Sequence, residues 1–202
     1  MTGAVPPSPV AVLGIDPGRK WTAGVLRVGA RALHGWTLGP VDAGGAPDAA
    51  AVDNVHDVAA FARYAARILD AVEETVAAAP GLGAAGRVWL ACEIVLPPTG
   101  RNSRIALADW LIPRQMLAAI VAHDPRTVLV PLAEHGKRRP LTEHYPAEFW
   151  PAKGRTGGRP ASWGPCEARR GERDHERAAF DVAGAAARLL AHGAGAASGA
   201  GQ

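Results

Sequence analysis

Two carboxylates sit where apolar strands should run. Residues Ala11 to Ile15 read AVLGI and stop at Asp16-Pro17-Gly18. Residues Arg87 to Val95 read RVWLACEIV, an almost continuous apolar run with Glu93 inside it, ended by Pro97-Pro98. Short apolar runs bounded by turn residues are the pattern of strands buried on both faces, which occur in α/β sheets covered by helices. A charge inside such a strand is costly unless it is paired or bound to a cation. The chain must therefore be a layered α/β domain that gives both acids a polar outlet.

The remaining segments fit that class. Trp21 to Val28 and Arg31 to Leu38 read as two strands joined by a hairpin at Gly29-Ala30. Residues 39–53 form a loop rich in Gly, Ala and Pro. Asp53 or Asn54 can cap a helix through Ala79, with Val55, Val58, Ala62, Ala65, Ile68 or Leu69, Val72 and Val76 on one face and Pro80-Gly81 as its stop. Ser103 to His123 reads as a helix kinked or broken at Pro113. Thr127 to Leu132 is a further short strand, 134–173 a long basic loop, and Asp174 to His192 a last helix. The order predicts a mixed sheet with an antiparallel three-strand start and then parallel strands, flanked by helices. Residues 1–9, with three Pro, read as a disordered arm and 193–202 as a flexible tail. That leaves 10–192 as a single domain.

Composition narrows the function classes. A chain of 202 residues suits one α/β domain. Its two Cys, Cys92 and Cys166, exclude a disulfide scaffold and a four-Cys zinc site. His34, His56, His123, His135, His144 and His192 show no ligand spacing, which argues against a zinc hydrolase. No apolar run is long enough to span a membrane, and Met1 to Pro9 lack the features of a signal peptide, so a cytoplasmic protein is expected. The net charge is only +3, but Lys137 to Arg173 hold nine Lys or Arg against four Glu. Such a basic stretch suits a polyanion. Tyr145, Phe149, Trp150 and Trp163 are interleaved with it, and aromatics can stack on unpaired bases. Lys137, Arg138, Arg139, Lys153 and Arg155, with Arg101, Arg104 and Arg114 beyond the Glu93 strand, are candidate nucleic-acid contacts. The alternative is a solvated loop whose aromatics pin it to the body.

A third acid, Asp181, lies in the last helix among small residues (AAFDVAGAAA) that allow close approach to a sheet. If the first and fourth strands are neighbours and this helix packs over them, Asp16, Glu93 and Asp181 can converge. A carboxylate cluster of that kind suits Mg²⁺ or Mn²⁺, and two such ions serve phosphodiester hydrolysis. Glu93 could instead pair with an Arg such as Arg114, and Asp174 could be a helix cap.

These residues resemble the RuvC family of Holliday-junction resolvases. LGIDPG at 13–18 followed by Lys20 looks like that family's opening, with Asp16 as its first catalytic aspartate. The strand with Glu93 resembles its second catalytic position. NSRIAL onward, with Asn102, Ala106-Leu107 and Arg114, resembles the following helix. DHERAAFDVAGAA resembles the closing aspartate motif, which puts Asp181 there. The resemblance covers most of 11–132 and 174–190. It implies an RNase H-like fold, a homodimer without a small-molecule cofactor, and cleavage of branched DNA with two Mg²⁺ or Mn²⁺ ions. It further implies Asp16 shared between the ions and Glu93 and Asp181 holding one each. The family's acid or His three residues before the last aspartate is Ala178 here, which leaves Asp174 or His175 as substitutes. His175 would assist proton transfer. Residues 134–173 depart from the cellular resolvases and suggest a divergent or phage-type branch. Alternatives are an RNA-processing nuclease of the RuvX/YqgF type and a non-catalytic nucleic-acid-binding module on the same fold. An actin-like sugar kinase shares the opening strand but needs a longer chain.

Overall fold

The computed structural model describes residues 9–98, 106–131, 140–151, 158–168 and 173–198. Its centre is a five-stranded mixed sheet. Strands β1 (Ala11–Asp16), β2 (Thr22–Val28) and β3 (Arg31–Leu38) form an antiparallel meander. Strands β4 (Val88–Glu93) and β5 (Val128–Val130) add to the other side of β1 in parallel, giving the order β3-β2-β1-β4-β5. The expected hairpin is present: Gly29 turns the chain at φ +59°, a conformation that glycine adopts without the Cβ penalty.

Helices α1 (Val58–Ala78) and α2 (Leu107–His123) cover one sheet face. Leu13, Ile15, Leu26, Leu90 and Cys92 pack there against Tyr64, Ile68, Val72, Ile112, Met116 and Ile120. The first helix begins later than expected. Asp57 is its cap, accepting the Ala60 N–H at 2.9 Å, while Asn54 is spent on a turn with the His56 N–H. The inward stripe is accordingly Ala60, Tyr64, Ala65, Ile68, Val72 and Thr75, and Val58 is 72% exposed. Two polar residues sit on that stripe because each finds a partner: Trp36 Nε1 donates to Thr75 Oγ1 at 3.0 Å, and Tyr64 bonds the turn after β1. Helix α2 runs continuously through Pro113, which lies in its second turn with buried Ile112 and Met116 on either side; the expected break is absent. Among the described residues no helix is long and apolar enough to cross a membrane.

A short helix α3 (Leu141–His144) and a 3₁₀ turn (Ala147–Phe149) precede the last helix, α4 (Asp174–Ser198), which covers the opposite sheet face and runs on into the stretch expected as a tail. Its small residues allow a close approach. A Cβ built on Gly14 would stand 2.6 Å from the Ala183 nitrogen, and closer still to the Ala179 carbonyl oxygen. Gly14→Ala is therefore expected to cost about 1–3 kcal/mol, the range for overpacking a full core, read as a lowered urea midpoint.

The expected basic loop is largely part of the body where it is described. Tyr145, Phe149 and Trp163 are buried with Phe180 against Ala23, Val25 and Ala32. These strand positions are small, so the sheet leaves room that large rings fill; a Cβ on Gly35 would lie 2.7 Å from the Trp163 ring. This corrects the expectation that these three aromatics stack on bases. Pro165 to Glu167 line the outer edge of β3: the Thr37 N–H donates to the Pro165 carbonyl at 2.8 Å, and the Glu167 N–H to the Thr37 carbonyl at 3.0 Å. The edge of the sheet is thereby covered there. Glu167 also accepts the Gly39 N–H and pairs with Arg67 of α1.

Candidate functional site

Strand register brings the two strand acids together. Ile15 lies opposite Cys92 in the parallel β1–β4 pair, so the next positions, Asp16 and Glu93, are neighbours at the carboxyl ends of adjacent strands. Adjacent strands are about 4.8 Å apart. Alternation decides the face: Ile15 and Cys92 enter the core under α1 and α2, while Val12 and Ala91 enter the one under α4. Asp16 and Glu93 follow the second set and face α4. The carboxyl ends of parallel strands are where open α/β sheets form their binding crevices.

Helix α4 contributes His175. Its Nδ1 lies 2.7 Å from Asp16 Oδ2, so the imidazole donates Nδ1–H to the carboxylate. In the neutral ring Nε2 is then the proton acceptor. His175, Ala179 and Ala183 are spaced by four, and the last two meet Gly14, so His175 belongs to the sheet-facing stripe. Glu93 is 7% exposed. Cys92, next to Glu93, opposite Ile15 and turned to the other face, feels both acids: burial pushes its thiol up, and the Asp16 and Glu93 charges push it further.

The turn that follows Asp16 is braced on two sides. Arg19 ion-pairs with Asp53 at 3.1 Å and with Asp109 of α2 at 2.9 Å. Tyr64 of α1 and Thr22 of β2 bond Gly18 from below.

Asp181 lies elsewhere. It is two residues from both Ala179 and Ala183, and at 3.6 residues per turn that is a rotation of roughly 160–200° away from the sheet-facing line. It is 4% exposed because the α3 segment covers it: His144 Nε2 and the Tyr145 hydroxyl each stand 2.7 Å from its carboxylate oxygens. Asp174, seven residues earlier on the same outer line, is 84% exposed at its side chain and pairs with Arg177. The expected convergence of Asp16, Glu93 and Asp181 is thus corrected by helix phase, and His175 rather than Asp174 reaches Asp16. Among the described residues no group of three His, Cys, Asp or Glu side chains is arranged to hold a metal ion as it lies. The two carboxylates at the strand ends are hard oxygen donors of the kind that suits Mg²⁺ and Mn²⁺, while His175 spends its Nδ1–H on Asp16. Like charges on adjacent strands disfavour each other unless a cation offsets them.

The cations expected at the substrate divide into two groups. Arg114 donates to the Val95 carbonyl at 3.1 Å, just past Glu93, and leans over Trp110. Arg101, Arg104, Lys137, Arg138, Arg139, Lys153 and Arg155 lie outside the described residues. Within the basic stretch, Arg159 and Arg173 act internally. Arg173 donates to the Glu148 carbonyl at 2.9 Å. Arg159 donates from Nε to Glu176 at 2.8 Å and from Nη2 to the Gly35 carbonyl at 2.9 Å. Glu176, fully buried, is an acid that pattern reading misses, although its place three residues before Ala179 puts it on the inward face. In comparisons with known proteins, no family model, no curated protein and no solved structure matches this chain.

Proposed function

We propose that this protein is a divalent-metal-dependent nuclease with an RNase H-like fold, acting on branched DNA such as a four-way junction. The observation that carries the reading is the pairing of Asp16 and Glu93 on adjacent strand ends, with His175 bonded to Asp16 from α4. Strand order supports it: an antiparallel meander followed by parallel strands, the first acid on the central strand and the second on its neighbour. So does the likeness of LGIDPG to the opening of the RuvC resolvases.

In this reading Asp16 and Glu93 supply carboxylate oxygens to Mg²⁺ or Mn²⁺, and the bound cation supplies charge neutralisation at the phosphate under attack. His175 holds the Asp16 carboxylate through Nδ1–H and accepts a proton at Nε2 as water attacks phosphorus and the bond from phosphorus to the 3′ oxygen breaks, leaving a 5′-phosphate and a 3′-hydroxyl. Asp181, bonded to His144 and Tyr145, secures the α3 segment. A junction carries two scissile strands, so a homodimer is part of the proposal.

The test is cleavage of a labelled synthetic four-way junction in Mg²⁺ or Mn²⁺, with linear duplex and single-stranded RNA alongside. Paired, metal-dependent cuts in the junction are expected. Cleavage of RNA alone would move the assignment to an RNA-processing nuclease. Junction binding without cuts in either metal would leave a binding module.

A further inference from the structure

The hydroxyl of Tyr64 is buried under the carboxyl end of β1, in a polar cluster that touches the turn after Asp16. Tyr64 is fully buried in α1. Its oxygen lies 2.8 Å from Thr22 Oγ1 and 3.1 Å from the Gly18 carbonyl oxygen. Thr22 Oγ1 also accepts the Gly18 N–H at 3.3 Å. The donors close into a ring: Gly18 N–H to Thr22, the Thr22 hydroxyl to Tyr64, and the Tyr64 hydroxyl to the Gly18 carbonyl. Both backbone groups of Gly18 are thereby held, two residues after Asp16. Burial pushes the Tyr64 hydroxyl up from its ordinary range, with the nearby Asp16 charge acting in the same direction, so it stays a donor.

Gly18 also borders the imidazole. A side-chain carbon at Gly18 would stand 3.7 Å from His175 Cε1. The turn thus holds Asp16 at one end and backs the ring that bonds Asp16 at the other. We propose that Tyr64, acting through Thr22 and Gly18, is a positioning residue that sets the Asp16–His175 pair; the claim rests on the nuclease reading of that pair. Small displacements at such a pair are costly to rate, since a shift of about 1 Å can cost on the order of 100-fold.

The test compares Tyr64→Phe with Thr75→Val. Thr75 is a buried hydroxyl of the same helix that serves Trp36, far from the turn, so its loss reports on general weakening of α1. Tyr64→Phe is expected to lower kcat for junction cleavage about tenfold or more with KM within about twofold. It should also shift the ¹H and ¹⁵N imidazole signals of His175. Thr75→Val should lower the melting temperature but leave kcat and the His175 signals at wild-type values. Unmoved His175 signals in Tyr64→Phe, or equal losses of kcat in both variants, would overturn the proposal. If the wild type cuts no substrate while the His175 signals move only in Tyr64→Phe, the nuclease reading fails and the positioning of His175 by Tyr64 stands.

Discussion

Replacing Asp16 by Asn, or Glu93 by Gln, is expected to lower kcat for junction cleavage by about 10³-fold or more while leaving the fold intact. Either change swaps an ionised oxygen for a neutral amide of the same shape. The strand backbone keeps its register, and the repulsion between two neighbouring carboxylates is relieved, so stability should hold or rise slightly. In the proposed reading what is lost is one of two anionic donors to the cation, and Lewis-acid stabilisation of a phosphoryl transition state is worth several kcal/mol, at about 1.4 kcal/mol for each tenfold in rate. In Asp16→Asn the His175 ring also loses its charged acceptor, held at 2.7 Å. Asp181→Asn should behave oppositely: its carboxylate serves His144 and Tyr145, so the melting temperature falls while kcat stays within about tenfold of wild type. Single-turnover kinetics with circular dichroism on the same samples separate the two classes.

Arg159→Ala is expected to cost about 3–5 kcal/mol of folding stability, the range for leaving one partner of a buried ion pair behind. Glu176 is fully buried, and Arg159 Nε is its partner at 2.8 Å. The same guanidinium joins three parts of the chain, since it also serves the Gly35 and Gly164 carbonyls. Against a total of about 5–15 kcal/mol for a typical domain, such a loss is severe. Urea unfolding measures it. The double variant Arg159→Met, Glu176→Leu should recover a large part, because it removes both charges and refills the space. A single variant within about 1 kcal/mol of wild type would mean that the pair does not hold the 158–168 segment to α4.

Different parts of this architecture were legible for different reasons. The strands were readable because apolar runs with turn residues at both ends have few other uses. Asp16 and Glu93 were readable as a pair because each is a charge in a place that otherwise excludes charge. The phase of α4 was not readable. Ala178, Ala179, Ala183, Gly184, Ala185 and Ala186 put small residues on every side of the helix, so no stripe marks the inward face. Only the contact of Ala179 and Ala183 with Gly14 fixes it, and that fixes His175 inward and Asp181 outward. Tyr64 was hidden for a related reason, since the aliphatic periodicity from Val55 to Val76 steps from Ala62 to Ala65 and passes over it. The burial of Tyr145, Phe149 and Trp163 depends on Ala23, Val25 and Ala32, far earlier in the chain in β2 and β3, which no local pattern reports.

The central claim is that one cation site lies between the ends of β1 and β4 and excludes Asp181. Titration of the metal-free protein with Mn²⁺, followed by calorimetry, tests it most directly. Saturable binding is expected in the wild type and in Asp181→Asn, and its loss is expected in Asp16→Asn and Glu93→Gln. Absence of saturable binding in the wild type, or binding that survives in Asp16→Asn and Glu93→Gln but is lost in Asp181→Asn, would contradict the account.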